Sequence, residues 1–555
     1  MCFGRLFESF RGYRGDWLVG DASAGLMLAA LALPSQLATA RLAGMPPETG
    51  LIAFTAAALA FAAFGGNRFM SVGADSTIAP IFAGALAALA LGDGNLYARL
   101  AGTLALMVGL ILVLTGLLRA GWMADLLSLP VVVGFLAGIA VHIAVGQVPG
   151  LLGVPSATQD HVLARLGGAL GQVADANPYT VAVGAGVLLA TIGGHWLSPR
   201  IPGALVGLVV AALAAWQFGL ANHGVETLGA LSLGLPAVSL PTTDLDDVLR
   251  LLPLSITVAL VCMMQTAAVA RSYPSDPEMP DDASRDFAGV GAGNLLAGVV
   301  GSFAVDASPP NTAVVVESGG RSQAAPLIAA AAVVLLAAFA GAAAAYVPTA
   351  ALDAVLVYIA IRIFRLGDMI RIARKANGEI LLVAASAALV VLLPIERGVG
   401  LAILLSLLHS VYLMARPTCA SLVRLPGTTI WWPPAPGVAG ETVPGVLVFA
   451  PAAPLTFVNA EYVRRRLDRA LAERGDTRLL VIEASGVTLV DYTATQTLIQ
   501  EIARLHKNNI DVAVARLEAK LAATSAERAG LLAALGEGRV FHSVEEAVRT
   551  LAPAP

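Results

Sequence analysis

The 555-residue chain is 57% hydrophobic and 13% charged, with a mean hydropathy of +0.78, which excludes an ordinary water-soluble protein. A net charge of −4 is too mild to mark a nucleic-acid partner. The three cysteines, Cys2, Cys262 and Cys419, are too scattered for a disulfide framework, a zinc site or a redox pair.

The basic N-terminal segment, residues 1–20, runs into a long apolar stretch without a small-residue cleavage site, so it reads as a retained cytoplasmic start. Apolar runs near the ~20 residues needed to cross a ~30 Å hydrocarbon layer then recur. We read fourteen spans, at 22–44, 48–66, 71–91, 97–118, 124–148, 178–195, 201–219, 250–270, 286–304, 307–319, 323–345, 349–364, 378–394 and 398–414. With the N-terminus inside, most basic loop residues fall on the cytoplasmic side, and only Arg41, Arg99, Arg165, Arg250 and Arg397 fall outside. An even number of crossings puts both termini in the cytoplasm. The expected plan is an N-terminal segment 1–20, a transmembrane unit 21–416, a linker 417–440 and a polar domain 441–555.

Two spans are unusual. The stretch NRFMSVGADSTIAP, residues 67–80, turns at Gly73 and becomes helical only after Asp75, Ser76 and Thr77. That pattern predicts an extended piece followed by a half-helix starting inside the bilayer, which is tolerated only where the break lines a protein cavity. The stretch SFAVDASPPNTAVVVESGG, residues 302–320, repeats the device with Asp306, Ser308 and the pair Pro309-Pro310 before a run too short to cross. Interrupted spans at matching places in two halves point to a midplane binding site. Their free N–H groups carry partial positive charge and attract an anion or accept a side-chain cap.

Asp75 and Asp306 have two readings: an ionisable residue within a span is a functional-site hypothesis, whereas Asp is also a good helix cap. His142 and Asp353 read as packing or interhelical hydrogen-bond residues, as does Gln147. Gly134 and Gly138 are spaced for close helix packing. The acidic loop 272–286 reads as a solvated turn. No nucleophile and base are arranged for covalent chemistry in the spans, so the chain is not expected to be an enzyme or to need a cofactor.

PSQLATARLAGMPPETGL (34–51), FGGNRFMSVGADSTIAP (64–80), GWMADLLSLPVVVGFLAGIAVHIAVGQVPGLLG (121–153) and GSFAVDASPPNTAVVVESGGRSQ (301–323) resemble, in order, the signature stretches of the sulfate permease (SulP) family, anion transporters related to prestin and pendrin. The tail alternates β and α patterns and resembles the STAS module. The resemblance implies an α-helical polytopic membrane protein built as two inverted seven-span repeats. These sort into a core domain (spans 1–4 and 8–11) and a gate domain (spans 5–7 and 12–14). It further implies alternating access by rigid-body movement, and a homodimer in the inner membrane with the STAS domain in the cytoplasm.

By position, the family's substrate pocket falls on Ser35, Gln36 and Thr39 of span 1 and on Ala74, Asp75, Ser76 and Thr77 of span 3. It continues on Gln265 of span 8 and on Ala307, Ser308, Asn311 and Thr312 of span 10. The chain departs from the family in three places. Ser35 and Thr39 stand where many relatives have Gln and Tyr; neutral Gln265 stands where an acid linked to coupling is common; and Asn311 stands where some animal relatives carry Arg. With no basic side chain in the pocket, the half-helix N-termini supply the positive potential, worth ~0.3–2 kcal/mol per favourable contact. That favours a singly charged or cation-accompanied substrate, such as bicarbonate or a carboxylate, over bare sulfate. Asp75 and Asp306 are then the candidates to carry a coupling H⁺ or Na⁺. In the tail, Thr493 and Asp491 match the phosphorylated hydroxyl and its acid in anti-sigma factor antagonists, although the stronger reading is that in transporter STAS modules this turn caps the helix without being a kinase target. Alternative readings are a nucleobase transporter of the same fold, a non-transporting membrane anchor or sensor for the STAS domain, and a channel-like leak.

Overall fold

The computed structural model describes residues 6–10, 12–121, 128–155, 162–197, 202–229, 244–275, 283–340, 343–376, 378–434 and 440–552. The start of the fifth span at 124–127, residues 276–282 of the acidic loop and residues 435–439 of the linker lie outside the described residues. The chain divides into two compact units, Met1–Ser406 and Leu407–Pro555.

The first unit is helical. Its first half holds α1 (Leu18–Leu42), α2 (Pro47–Phe64), the two-residue strand β1 (Val72–Gly73), α3 (Ala79–Ala90), α4 (Gly94–Leu117), α5 (Leu129–Leu152), α6 (Val162–Gly171), α7 (Pro178–Leu197) and α8 (Gly203–Phe218). Its second half holds α9 (Leu245–Ser272), α10 (Ala283–Val299), β2 (Asp306–Ala307), α11 (Pro309–Glu317), α12 (Ala324–Ala340), α13 (Thr349–Ile363), α14 (Leu366–Lys375), α15 (Ile380–Leu392) and the start of α16 (Ile395–Ala415). Each of the fourteen apolar stretches read from the sequence carries a helix. Six described helices are long and apolar enough by length and composition to cross a membrane, and several apolar ones are shorter. The two halves run in the same order: two helices, a two-residue strand, a half-helix. At 12 and 9 residues and a ~1.5 Å rise per residue, α3 and α11 are too short to span ~30 Å.

Packing sorts the helices into two groups. In one, α10 lies against α4 and α2, and α12 against α1 and α2; in the other, α5 lies against α13 and α15, and α7 against α8 and α13. Without a hydrophobic driving force in lipid, close backbone approach does the holding. A Cβ on Gly134 would sit 2.3 Å from the Val383 carbonyl oxygen, and one on Gly138 would sit 2.6 Å from the Val390 Cβ. Glycine is what lets α5 reach α15. His142, one turn further along, bonds the Val390 carbonyl through Nε2 at 2.7 Å, an interhelical tie of the kind read from the sequence.

The second unit holds a six-stranded sheet in the order β4-β3-β5-β6-β7-β8. Its strands are β3 (Cys419–Arg424), β4 (Trp431–Trp432), β5 (Val446–Pro451), β6 (Leu479–Glu483), β7 (Asp511–Ala515) and β8 (Val540–Phe541). β3 pairs antiparallel with β4 and β5, while β5 to β8 are parallel. Parallel strands need crossovers, supplied by α17 (Ala460–Arg474), α18 (Tyr492–Lys507), α19 (Lys520–Arg528) and α20 (Leu531–Leu535), with α21 (Val544–Leu551) following β8. Both faces of β6 are covered, which is why Leu479, Leu480, Val481 and Ile482 form an unbroken apolar run.

Candidate functional site

The two broken spans meet head to head. β1 and β2 pair antiparallel, with Val72 opposite Ala307 and Gly73 opposite Asp306. The pairing extends past the strands: Ser308 N–H donates to the Ser71 carbonyl at 2.9 Å, and Ser71 N–H donates to Thr312 Oγ1 at 3.0 Å. Thr312 Oγ1 in turn donates to the Ser308 carbonyl at 2.8 Å. Backbone groups away from water and outside a helix must find partners, and each arm supplies them to the other.

Gln36 completes the first arm. Its Oε1 accepts from Ala74 N–H at 2.8 Å and its Nε2 donates to the Ala74 carbonyl at 2.9 Å, so one side chain satisfies a whole peptide residue. The approach is close enough that a Cβ on Gly73 would sit 2.7 Å from the Phe54 ring and 3.1 Å from Gln36 Oε1. Past Ala74 the chain turns into α3 through Asp75, whose Oδ1 accepts from Thr77 N–H at 2.8 Å and from Thr77 Oγ1 at 2.6 Å. Pro80 sits in the first turn of α3, and Pro309 and Pro310 in that of α11, where a missing N–H costs nothing.

Gln265 of α9 bridges the arms. Its Nε2 donates to Asp306 Oδ2 at 2.6 Å and to Thr77 Oγ1, while Asp306 Oδ1 accepts from Ala307 N–H at 2.7 Å. The two carboxylates therefore belong to one network, Asp75 to Thr77 to Gln265 to Asp306, and both are buried.

Of the residues expected from sequence, Gln36, Ala74, Asp75, Thr77, Gln265, Asp306, Ala307, Ser308 and Thr312 are joined by these bonds. Ser76, Asn311 and Thr39 are buried nearby in sequence, and no bond of their side chains enters the network. Ser35 is turned to its own helix, its Oγ donating to the Ala32 carbonyl at 3.0 Å. No basic residue stands among these thirteen.

Residues that sequence reading missed hold the arms in place. Asn294 of α10 does for Val305 what Gln36 does for Ala74: its Oδ1 accepts from Val305 N–H at 3.0 Å and its Nδ2 donates to the Val305 carbonyl at 2.8 Å. Asp21 Oδ1 accepts the N–H groups of Arg321 and Ser322 at 2.6 and 3.1 Å ahead of α12. Asp286 Oδ1 accepts those of Gly66 and Asn67 at 2.9 and 2.8 Å ahead of β1. Gln323 donates to the Asn67 and Met70 carbonyls. The available signal was a lone polar side chain inside an otherwise apolar, glycine-rich span, as in VGAGNLLAG.

In the second unit, Asp491 caps α18, its Oδ1 accepting from Ala494 N–H at 2.8 Å and its Oδ2 from Phe457 N–H at 2.7 Å. Thr493 is exposed in the first turn.

Family models match residues 18–386 as the sulfate permease family and residues 438–547 as the STAS domain. A probable sulfate transporter of Mycobacterium tuberculosis is 34% identical over 542 residues, covering 97% of this chain and 96% of that protein. A putative sulfate transporter of Bacillus subtilis is 25% identical over 520 residues, covering 93% and 94%. Among solved structures, the murine solute carrier 26 family member A9 anion transporter in its inward-facing state superposes with a TM-score of 0.88 at 19% identity over 99% of this chain and 94% of that one. The transmembrane domain of the cyanobacterial bicarbonate transporter BicA does so with a TM-score of 0.61 at 22% identity over 71% and 97%. The fold is therefore that of an anion transporter, a membrane-embedded multi-pass protein rather than an enzyme, and the chain belongs to the sulfate permease family with a STAS domain following its transmembrane unit.

Proposed function

We propose that this chain is a secondary active carrier of a small oxyanion or carboxylate, held between the starts of α3 and α11 and moved by alternating access. The observation that carries the reading is the antiparallel pairing of β1 and β2, which aims two half-helix N-termini into one buried polar site. Two such termini favour negative charge. Two carboxylates in the same site oppose it, because like charges a few ångströms apart repel strongly in a low dielectric. A cation travelling with the anion resolves the conflict, so we assign Asp75 and Asp306 to carry a coupling H⁺ or Na⁺ and the backbone amides, Ser76, Ser308, Asn311 and Thr312 to face the anion.

In this reading the α1–α4 and α9–α12 group is the moving core and α5, α7, α8 and α13–α16 the gate, working as a homodimer in the inner membrane with both termini and the STAS domain cytoplasmic. Thr493, exposed at the start of α18, is the position where a phosphate would enter the STAS domain.

The test is flux in proteoliposomes of sulfate, bicarbonate, dicarboxylates and uracil, with and without Na⁺ and pH gradients. Anion flux that saturates and follows one gradient is expected. Asp75→Asn and Asp306→Asn should uncouple it, and Ser308→Trp should abolish it. Unchanged coupling in both Asp variants removes the carboxylates from the mechanism; unchanged flux in Ser308→Trp removes the site. Uracil uptake in place of anion flux would establish the nucleobase reading.

A further inference from the structure

One end of the six-stranded sheet lies next to the last turn of α16. Parallel strands put the starts of the helices that follow them at their C-terminal ends, and Cys419, the first residue of β3, pairs there with Pro451, the last of β5. Only Arg416, Pro417 and Thr418 separate Cys419 from Ala415, the end of the apolar span Arg397–Ala415. At up to ~3.6 Å per residue, that link reaches at most about 14 Å. A second tie draws the two closer: Asn459 Nδ2, at the start of α17, donates to the Met414 carbonyl at 3.2 Å. The polar layer of a bilayer is about 5–8 Å deep on each side, so this end of the sheet stands within reach of the headgroups.

The same end exposes a row of apolar side chains. Phe457 follows β5, Tyr492 opens α18 after β6 and Leu521 opens α19 after β7, one for each of three adjacent strands. They are 73%, 72% and 64% exposed. Phe457 N–H and Ala494 N–H share the Asp491 carboxylate, which sets Phe457 beside the first turn of α18. Three exposed apolar side chains along one edge mark a surface that meets something apolar, and amphipathic rings gather where a membrane meets water. Charge runs the same way. The acids at this end are occupied: Glu461 pairs with Arg464 at 2.6 Å and Glu518 with Arg516 at 2.9 Å, while Asp491 caps backbone N–H groups. Lys520 and Arg416 are exposed, and among the described residues neither has an acidic partner. Arg416 instead lies over the Tyr412 ring at 4.7 Å, a cation and an aromatic at the end of a span.

We infer that the edge formed by the starts of α17, α18 and α19 docks on the bilayer surface from which α16 emerges, setting Phe457, Tyr492 and Leu521 into the interfacial layer and Lys520 and Arg416 against anionic headgroups. The short link from α16 makes lipid the nearest apolar phase. The domain is thereby held to the bilayer at two places, by the covalent link and by this edge. Docking rests on α16 being a membrane span and not on what the carrier moves.

The test uses the full-length protein in vesicles of mixed phosphatidylglycerol and phosphatidylcholine. The photoreactive residue benzoylphenylalanine replaces Phe457, Tyr492 or Trp432 one at a time, and the adducts are read by mass spectrometry. Trp432, 58% exposed on β4 and paired with Val423 at the opposite end of the sheet, is the reference for an exposed aromatic away from lipid. Lipid adducts at Phe457 and Tyr492 are expected at least about tenfold above those at Trp432, the population shift that burying one aromatic side chain supports. Vesicles of phosphatidylcholine alone, and Lys520→Glu in mixed vesicles, should each lower the yield at Tyr492 by about fivefold or more, the factor that one basic side chain beside an anionic surface is worth. Lipid yields no higher than at Trp432 would overturn the proposal. Adducts chiefly to a second copy, or to residues 1–406, would overturn it as well and establish a protein interface in its place. Lipid adducts that do not respond to lipid charge or to Lys520→Glu would overturn the placing of the two cations on headgroups.

Discussion

Replacing Gln36 by leucine keeps the size of a side chain that is 1% exposed but removes both of its bonds to Ala74, at 2.8 and 2.9 Å. The Ala74 N–H and carbonyl then stay buried with no partner from that side. Each such group costs about 1–3 kcal/mol, and the added apolar burial returns about 1–2 kcal/mol. Two such groups cost about 2–6 kcal/mol, so the net loss is about 0–5 kcal/mol and centres near 2–3 kcal/mol. On the usual per-residue unfolding entropy, a unit as large as Met1–Ser406 moves by roughly 1 °C per kcal/mol. Thermal unfolding of purified protein should therefore fall by a few degrees. Flux should fall much further, because Ala74 carries the turn that aims α3 at the site, and a misplacement of about 1 Å in a positioned group can cost on the order of a hundredfold. Ser35→Ala is the control for stability: its hydroxyl bonds only its own helix, so unfolding should stay within about 0.5 kcal/mol of the native value. Gln36→Leu with native unfolding and native flux would refute the claim that this side chain holds the broken backbone.

Gly73→Ala places a methyl 2.7 Å from the Phe54 ring; the arm must shift, and saturable flux should drop at least about tenfold while expression persists, since a displaced positioning group costs more in function than in stability. Gln265→Leu removes the donor that Asp306 Oδ2 and Thr77 Oγ1 share, leaving Thr77 with its bond to Asp75 and breaking the link between the two carboxylates, and the coupling ratio measured against Na⁺ and pH gradients should change more than the anion KM. In the second unit, burial pushes the Glu545 carboxyl up, but the hydrogen bonds from Trp431 and Arg549 and the charge of Arg424 outweigh it and hold the carboxyl below its ordinary value. A depressed folded value means the stabilisation is present above the unfolded value, about 4.3, and is lost as pH falls through the folded one. Urea unfolding of a 407–555 fragment, followed by circular dichroism, should weaken below about pH 4.5, and Glu545→Gln should be less stable at neutral pH with a flatter acid limb; identical pH profiles would rule the carboxylate out.

Much of this molecule was legible in one dimension. Apolar run length located fourteen helices because the bilayer sets a minimum length that composition must meet. The breaks at Gly73-Ala74-Asp75 and at Asp306 to Pro310 were legible because Gly, Asp, Ser and Pro in an apolar span have few structural meanings. The alternation of the tail marked an α/β layer domain for the same reason: period follows from backbone geometry, which is local.

Tertiary structure alone decided which polar groups answer each other. Gln36 reaches 38 residues along the chain and Gln265 reaches 188, and no pattern in the sequence announces that Asn294 serves Val305 as Gln36 serves Ala74. Ser35, equally polar and adjacent, turns to its own helix instead. Lipid supplies no hydrogen bonds, so each broken backbone segment must be satisfied from whichever helix packs beside it, and that neighbour is a property of the fold. The same is true of Arg41, Arg165 and Arg397: they are scattered along the sequence, and only the packing of six helices brings them around one cavity of about 810 Å³.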